Sequence, residues 1–296
     1  MWWRKSMAQT KSGKIYKSSL AKRNMLKFAS NKLALVGLFI ILFFSLCAIF
    51  APLFTSYDPS YVDPKVRLLP MSSEHLLGTD NAGRDTFTRL LYGGRISIAV
   101  GLSAALGAAL IGCTLGSIAG YYGGRFDSFI IYVGEIFTTF PQIMLVLILV
   151  GLSGRSLANL ILIFCFTGWM GTARLVRSRV LSLKTEPFVE SCVANGISGF
   201  SIMFKHILPN TLGPVIVSIT MQTAGFVLAE AALSFLGMGV PTAIPTWGNV
   251  INAASSFHIF QNYPNLWMAP GIVISLFVLG VNFFGDGLRD VFDATE

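Results

Sequence analysis

Residues 33–54, LALVGLFIILFFSLCAIFAPLF, carry no charged side chain over 22 positions. As a helix this run is about 33 Å long at 1.5 Å per residue, enough to cross a hydrocarbon core of about 30 Å. It predicts a first membrane-spanning helix. The basic region before it is 32 residues long and the apolar run exceeds a signal-peptide core, so an uncleaved anchor is expected. The rest of the chain agrees: 53% of its 296 residues are hydrophobic and only 12% charged, against about a quarter in soluble domains.

Further apolar stretches at about 96–120, 128–152, 156–173, 212–236 and 269–285 bring the expected spans to six, an all-α integral membrane protein. An even number places both termini on one side. Residues 1–32 hold nine basic and no acidic side chains, and the remainder of the chain is close to neutral, which argues against a nucleic-acid groove within the fold. With the N-terminus inside, the cytoplasmic segments hold 16 Lys and Arg and the external ones six, so the positive-inside rule selects that orientation. The expected organisation is a basic cytoplasmic tail at 1–32, a first span at 33–54 and an external loop or cap at 55–95. A transmembrane core follows at 96–290, interrupted by a long loop at 174–211, and 291–296 is a cytoplasmic C-terminus.

Covalent chemistry finds no support in the sequence. No G-x-x-x-x-G-K-[ST] loop occurs, and His75, His206 and His258 fall on predicted segments of alternating sidedness, which excludes a joint metal or catalytic site. Cys47, Cys113, Cys165 and Cys192 match no zinc or disulfide framework. Neither a catalytic residue nor a bound cofactor or metal is expected in this chain. Two carboxylates lie inside predicted spans, where charge is costly enough to mark a pathway or a helix clamp. Glu135 shares a helical face with Thr138, Thr139 and Gln142, and Glu230 groups with Thr220 and Thr223. Ser218, Gln222, Gly225 and Ala229 form a second face of that span, so it is expected to touch protein on two sides. Gly112, Gly116 and Gly120 form two overlapping G-x-x-x-G units that favour close helix packing, and Pro141 is expected to kink the third span.

The loop between the fourth and fifth spans is far longer than a helix connection requires. Beyond a turn at Gly196, the residues Ile197, Phe200, Met203, Phe204, Ile207 and Leu208 recur at three- and four-residue steps, predicting an amphipathic surface helix that ends at Pro209 and Asn210. Glu190, five residues, Gly196, eleven residues and then Leu208-Pro209 is a spacing that resembles the EAA loop of bacterial ABC importer permeases. Ser191 and Cys192 stand in place of its two alanines.

Four further motifs extend the resemblance. In the external loop Gly78, Thr79 and Asp80 are followed after two residues by Gly83, Arg84 and Asp85, with Thr79 or Asp80 expected to N-cap a helix from Thr86 to Tyr92. Phe235 to Gly239, Pro245 to Gly248 and Asn282 to Asp290 follow in order. Together they are similar to the C-type permease of oligopeptide, dipeptide and nickel importers, from about Asn31 to Asp293.

The resemblance implies a type I ABC importer permease fold and a heterodimer with a B-type permease paralogue. It also implies two separate ATPase subunits that use ATP and Mg, and an extracytoplasmic solute-binding protein. The loop from Glu190 to Pro209 would couple to the ATPases. Peptides are the expected cargo, with nickel or a metallophore as the alternative; a proton-coupled carrier using Glu135 or Glu230 is the alternative of another class.

Overall fold

A computed structural model describes residues 25–293, so most of the basic tail lies outside the described residues, which retain Lys27 and Lys32 of it. Asn31 ends a short helical stretch and caps α1 (Lys32–Ile49), its Oδ1 accepting from the Ala34 N–H. Pro52 sits in the first turn of α2 (Ala51–Phe54), where its missing N–H is harmless. The next long helix, α3 (Thr86–Tyr122), is 37 residues, about 55 Å at 1.5 Å per residue. No break separates the expected short helix at Thr86 from the expected second span, because no proline or cap intervenes; they are one rod.

Residues 124–153 depart from the expected kinked span. They form α4 (Gly124–Thr139) and α5 (Gln142–Ser153), which meet at 90°. Phe140 precedes Pro141 and is driven to an extended backbone, φ −89° and ψ 143°, the conformation proline imposes on its predecessor. The ladder is broken rather than bent. Among the described residues, six segments are long and apolar enough to span a membrane if the pair counts as one crossing; without it, five are.

α6 (Leu157–Leu183) runs ten residues beyond the predicted span and takes in the first part of the predicted loop. A short helix α7 (Pro187–Ala194) follows, and then α8, continuous over Gly199–Phe235. Pro209 does not end the surface helix as expected. Residues Ile202–Ile207 adopt the wider π-helical ladder, with the Leu208 N–H reaching back to the Met203 carbonyl, and the chain passes through Pro209 without needing its N–H. Two short helices, α9 (Trp247–Asn252) and α10 (Phe257–Asn262), precede α11 (Asn265–Asp293).

The most extensive interface joins α3 to α6, and the glycine stripe explains it. A methyl group at Gly112 would stand 2.7 Å from the Trp169 carbonyl, and one at Gly120 2.9 Å from the Arg177 carbonyl. Only hydrogen lets these backbones approach so closely. The resulting core layers Val100, Ala104 and Ala108 against Phe164 and Phe226, whose rings stack at 5.0 Å.

The long helices define two ends. At one, the start of α3 meets residues 55–85 and 237–264, since Arg89 bonds Pro59 and Thr242 and Asn265 bonds Leu77. This is the cap end. At the other, Tyr121 meets Lys184 and Gly199, while Asn31 donates to Asp290 at 3.0 Å. This loop end carries both termini of the described chain.

Candidate functional site

The loop end is built on a helix stop. α7 closes in a Schellman arrangement: Gly196 has φ +72°, its N–H donates to Val193, and the Ile197 N–H reaches the Cys192 carbonyl at 3.1 Å. A left-handed residue is required there, so Gly196 is needed for its backbone. Ser198 then caps the following turn, and the chain reverses into α8.

The residues predicted to form one amphipathic stripe divide between two faces. Ile207, with the unpredicted Ile202 and Val189, is buried against Val176 and Val180 of α6, and Met203 is buried as well. Leu208 and Ile197 are partly buried against the same cluster. Phe200 is 67% exposed and its ring lies 4.7 Å from that of Phe204, with Val193 (57%) and Phe188 also exposed. Glu190 is also exposed, and its carboxylate has no hydrogen bond or ion pair among the described residues. Pro209 is exposed at the π-to-α transition. Tyr121 ties this assembly to the bundle: its carbonyl accepts from Lys184 Nζ at 2.6 Å, and the same ammonium lies 5.4 Å from its ring centre.

The external-loop motif folds into a closed network at the cap end. Gly78 and Gly83 take φ of +72° and +78°, turning the chain so that the Asp80 carboxylate accepts from the N–H groups of Ala82 and Arg84. Asp80 also pairs with the Arg84 guanidinium at 2.7 Å. The Thr79 hydroxyl donates to the Val66 carbonyl and accepts from the Leu69 N–H. The N-cap of α3 is Asp85, not Thr79 or Asp80: Asp85 Oδ1 accepts from Thr88 at 2.7 Å, because the earlier two are committed inside the turn. Asp85 Oδ2 lies 2.8 Å from His75 Nδ1. Arg84 pairs with a carboxylate, whereas the other arginines of this loop go to backbone carbonyls. Arg67 donates to the Asn81 carbonyl, Arg95 to Ala48 and Ile49, and Arg89, 1% exposed, to Pro59 and Thr242.

The two intramembrane acids differ. Glu230 is 0% exposed; Ser97 of α3 donates to it at 3.0 Å and Ser234 at 2.7 Å. Ser97 in turn accepts from the Trp247 N–H, so the carboxylate joins α3, α8 and α9. Glu135 is exposed, and its carbonyl accepts from the hydroxyls of Thr138 and Thr139. The predicted face of Glu135, Thr138, Thr139 and Gln142 is interrupted, since Gln142 begins α5 beyond the 90° break. Thr223 is buried, its hydroxyl donating to the Ile219 carbonyl. α8 does touch protein on two sides: Glu230 reaches α3, while Gln222 and Ser218 reach Thr172 of α6.

One anchor had no signal in the sequence. Asp127 pairs with Arg177 at 2.5 and 2.6 Å across 50 residues, tying α4 to α6. Trp247 is buried between α3 and α11, donating its indole N–H to the Leu90 carbonyl at 3.1 Å. The Phe235–Gly239 motif is a second Schellman stop: Gly237 (φ +74°) donates to Ser234 and Met238 to Leu233.

Comparison with known proteins places this architecture. Residues 112–295 match the family described as binding-protein-dependent transport system inner membrane component, and residues 19–70 match the N-terminal TM domain of oligopeptide transport permease C. The chain is 45% identical to the dipeptide transport system permease protein DppC of Alkalihalophilus pseudofirmus over 89% of this chain and 86% of that one. It is 40% identical to the oligopeptide transport system permease protein OppC of Bacillus subtilis, covering 95% and 92%. With DppC of Bacillus subtilis it shares 38% identity, covering 90% and 83%. The chain therefore belongs to the binding-protein-dependent transport system inner membrane component family.

Proposed function

We propose that this chain is one permease half of an ATP-driven peptide importer, paired with a B-type permease paralogue in a bacterial cytoplasmic membrane. Two ATPase subunits use ATP and Mg and dock on the loop end; this chain performs no covalent chemistry. An extracytoplasmic solute-binding protein delivers cargo to the cap end. The observation that carries this reading is the loop end itself. Phe188, Val193 and Phe200 stand exposed on the same segment as the unpaired Glu190, on a scaffold fixed by Gly196 and packed on α6. ATPase closure would push on Ile202, Met203 and Ile207 and so move α6 and α8 as rigid bodies.

Orientation follows from the 16 to six basic asymmetry, with both termini cytoplasmic. Peptide cargo rests on the names of the three relatives, none of which names nickel. Glu230, enclosed by hydroxyls, acts as a clamp between helices, while exposed Glu135 and Gln142 stand at the break in the third crossing. A proton-coupled carrier loses its motive once family membership is established.

Reconstitution tests the reading. Proteoliposomes holding both permeases and both ATPases, with loaded binding protein outside and ATP inside, should import labelled peptide and continue to do so with a protonophore. Uptake that stops with the protonophore and ignores ATP would refute it.

A further inference from the structure

A cleft of about 350 Å³ opens between α5, α6 and α8, within the range of roughly 300–1,000 Å³ common to small-ligand sites. Its walls include Gln142, Gly171, Ser218, Gln222 and Gly225, and no charged side chain lines it. Gln222 is held from behind: its Nε2 donates to Thr172 Oγ1 at 2.7 Å and to Ser218 Oγ at 2.9 Å. Its Oε1, shielded from water, has no partner among the described residues. Gln142 across the cleft is exposed and makes no side-chain hydrogen bond among the described residues. Two neutral amides with unmet hydrogen-bonding capacity thus share one opening.

The two glycines point the same way. The helix glycines of the α3–α6 contact are occupied by a neighbouring backbone, whereas a Cβ at Gly171 or Gly225 would meet nothing within 4 Å. Glycine inside a helix is destabilising relative to alanine, and packing within this chain does not account for either one.

We infer that this cleft is a substrate-contacting segment of the translocation pathway that takes the peptide backbone, with Gln142 and Gln222 hydrogen-bonding its amides and Gly171 and Gly225 keeping the lane open. The inference rests on the peptide-importer reading and adds its site of contact. The Gln142 amide offers both donor and acceptor, while Gln222, its N–H groups given to Thr172 and Ser218, offers its carbonyl oxygen to a peptide N–H. With no charge on the walls, cargo side chains of either sign meet the same surface. The rival occupant is a helix of the partner permease, for which open glycines would also make room.

The complete complex in proteoliposomes, assayed with radiolabelled tri-alanine, separates them. Gly225→Leu should cut uptake by about tenfold or more, with ATPase stimulation by loaded binding protein held within about twofold and both permeases still co-purifying. Gly225→Ala should keep at least about half of the uptake, showing that size is what matters. Gln142→Met with Gln222→Met should lower uptake about fivefold, by the same factor for tri-alanine and for tripeptides carrying lysine or glutamate. Uptake above half in Gly225→Leu, or losses that depend on peptide charge, would overturn the assignment. Loss of the partner permease on purification of Gly225→Leu would give the cleft to the subunit contact instead. A wild-type complex that carries no peptide would overturn the importer reading, and the ligand class with it, before any variant is compared.

Discussion

The two ends of the bundle meet solvent in opposite ways. At the cap end the polar groups are largely spent on the chain itself: Arg84 on Asp80, Arg89 on two carbonyls, Asp85 on the α3 terminus and His75, Trp247 on Leu90. At the loop end Glu190 is unspent, and Phe188, Val193 and Phe200 are exposed on helices whose opposite faces are buried. The two acids near glycine turns make the contrast local. Asp80, three residues before Gly83, is 2% exposed and multiply bonded; Glu190, six before Gly196, is bare. The cap end is internally complete, while the loop end presents an unfinished surface, the condition expected of a docking site for another subunit.

Substitutions that sharpen this contrast rank by what they remove. Trp247→Ala should be the most damaging, costing about 3–5 kcal/mol by truncating a fully buried ring; loss of a monodisperse peak in detergent would show it. Arg89→Ala removes charge-assisted bonds to two carbonyls and should cost about 2–3 kcal/mol, read as a lower unfolding temperature and faster proteolysis of residues 55–85. Asp85→Ala removes the α3 cap and should cost about 1 kcal/mol in the same assay. Phe200→Ala should leave stability within about 0.5 kcal/mol yet weaken ATPase association by about fivefold or more, as an exposed aromatic at an interface centre does. A large loss of stability from Phe200→Ala, or none from Arg89→Ala, would break the contrast.

How far the sequence carried this picture depended on whether a feature was local. The charge-free run of α1, the glycine stripe of α3 and the turn at Gly196 were legible because periodicity and backbone chirality act within a few residues. The break at Pro141 was legible in position and not in angle, since the ladder's failure at Phe140 depends on what the two halves pack against. Pro209 misled because a π-helical turn can absorb a proline, and nothing in the neighbouring residues announces that ladder. The burial of Met203 and exposure of Phe200 could not be assigned, because a helical stripe does not state which neighbour covers each part of it. Arg89 to Thr242 and Asp127 to Arg177 are long-range pairings that a single sequence does not reveal.

In the proposed assembly the unfinished end receives the ATPases and the completed end faces the binding protein. Photo-crosslinking residues placed at Phe200 and at Tyr61, both exposed, test it in the assembled complex. Illumination should join position 200 to an ATPase subunit and position 61 to the solute-binding protein. Capture of the binding protein at position 200, or of an ATPase at position 61, would contradict it.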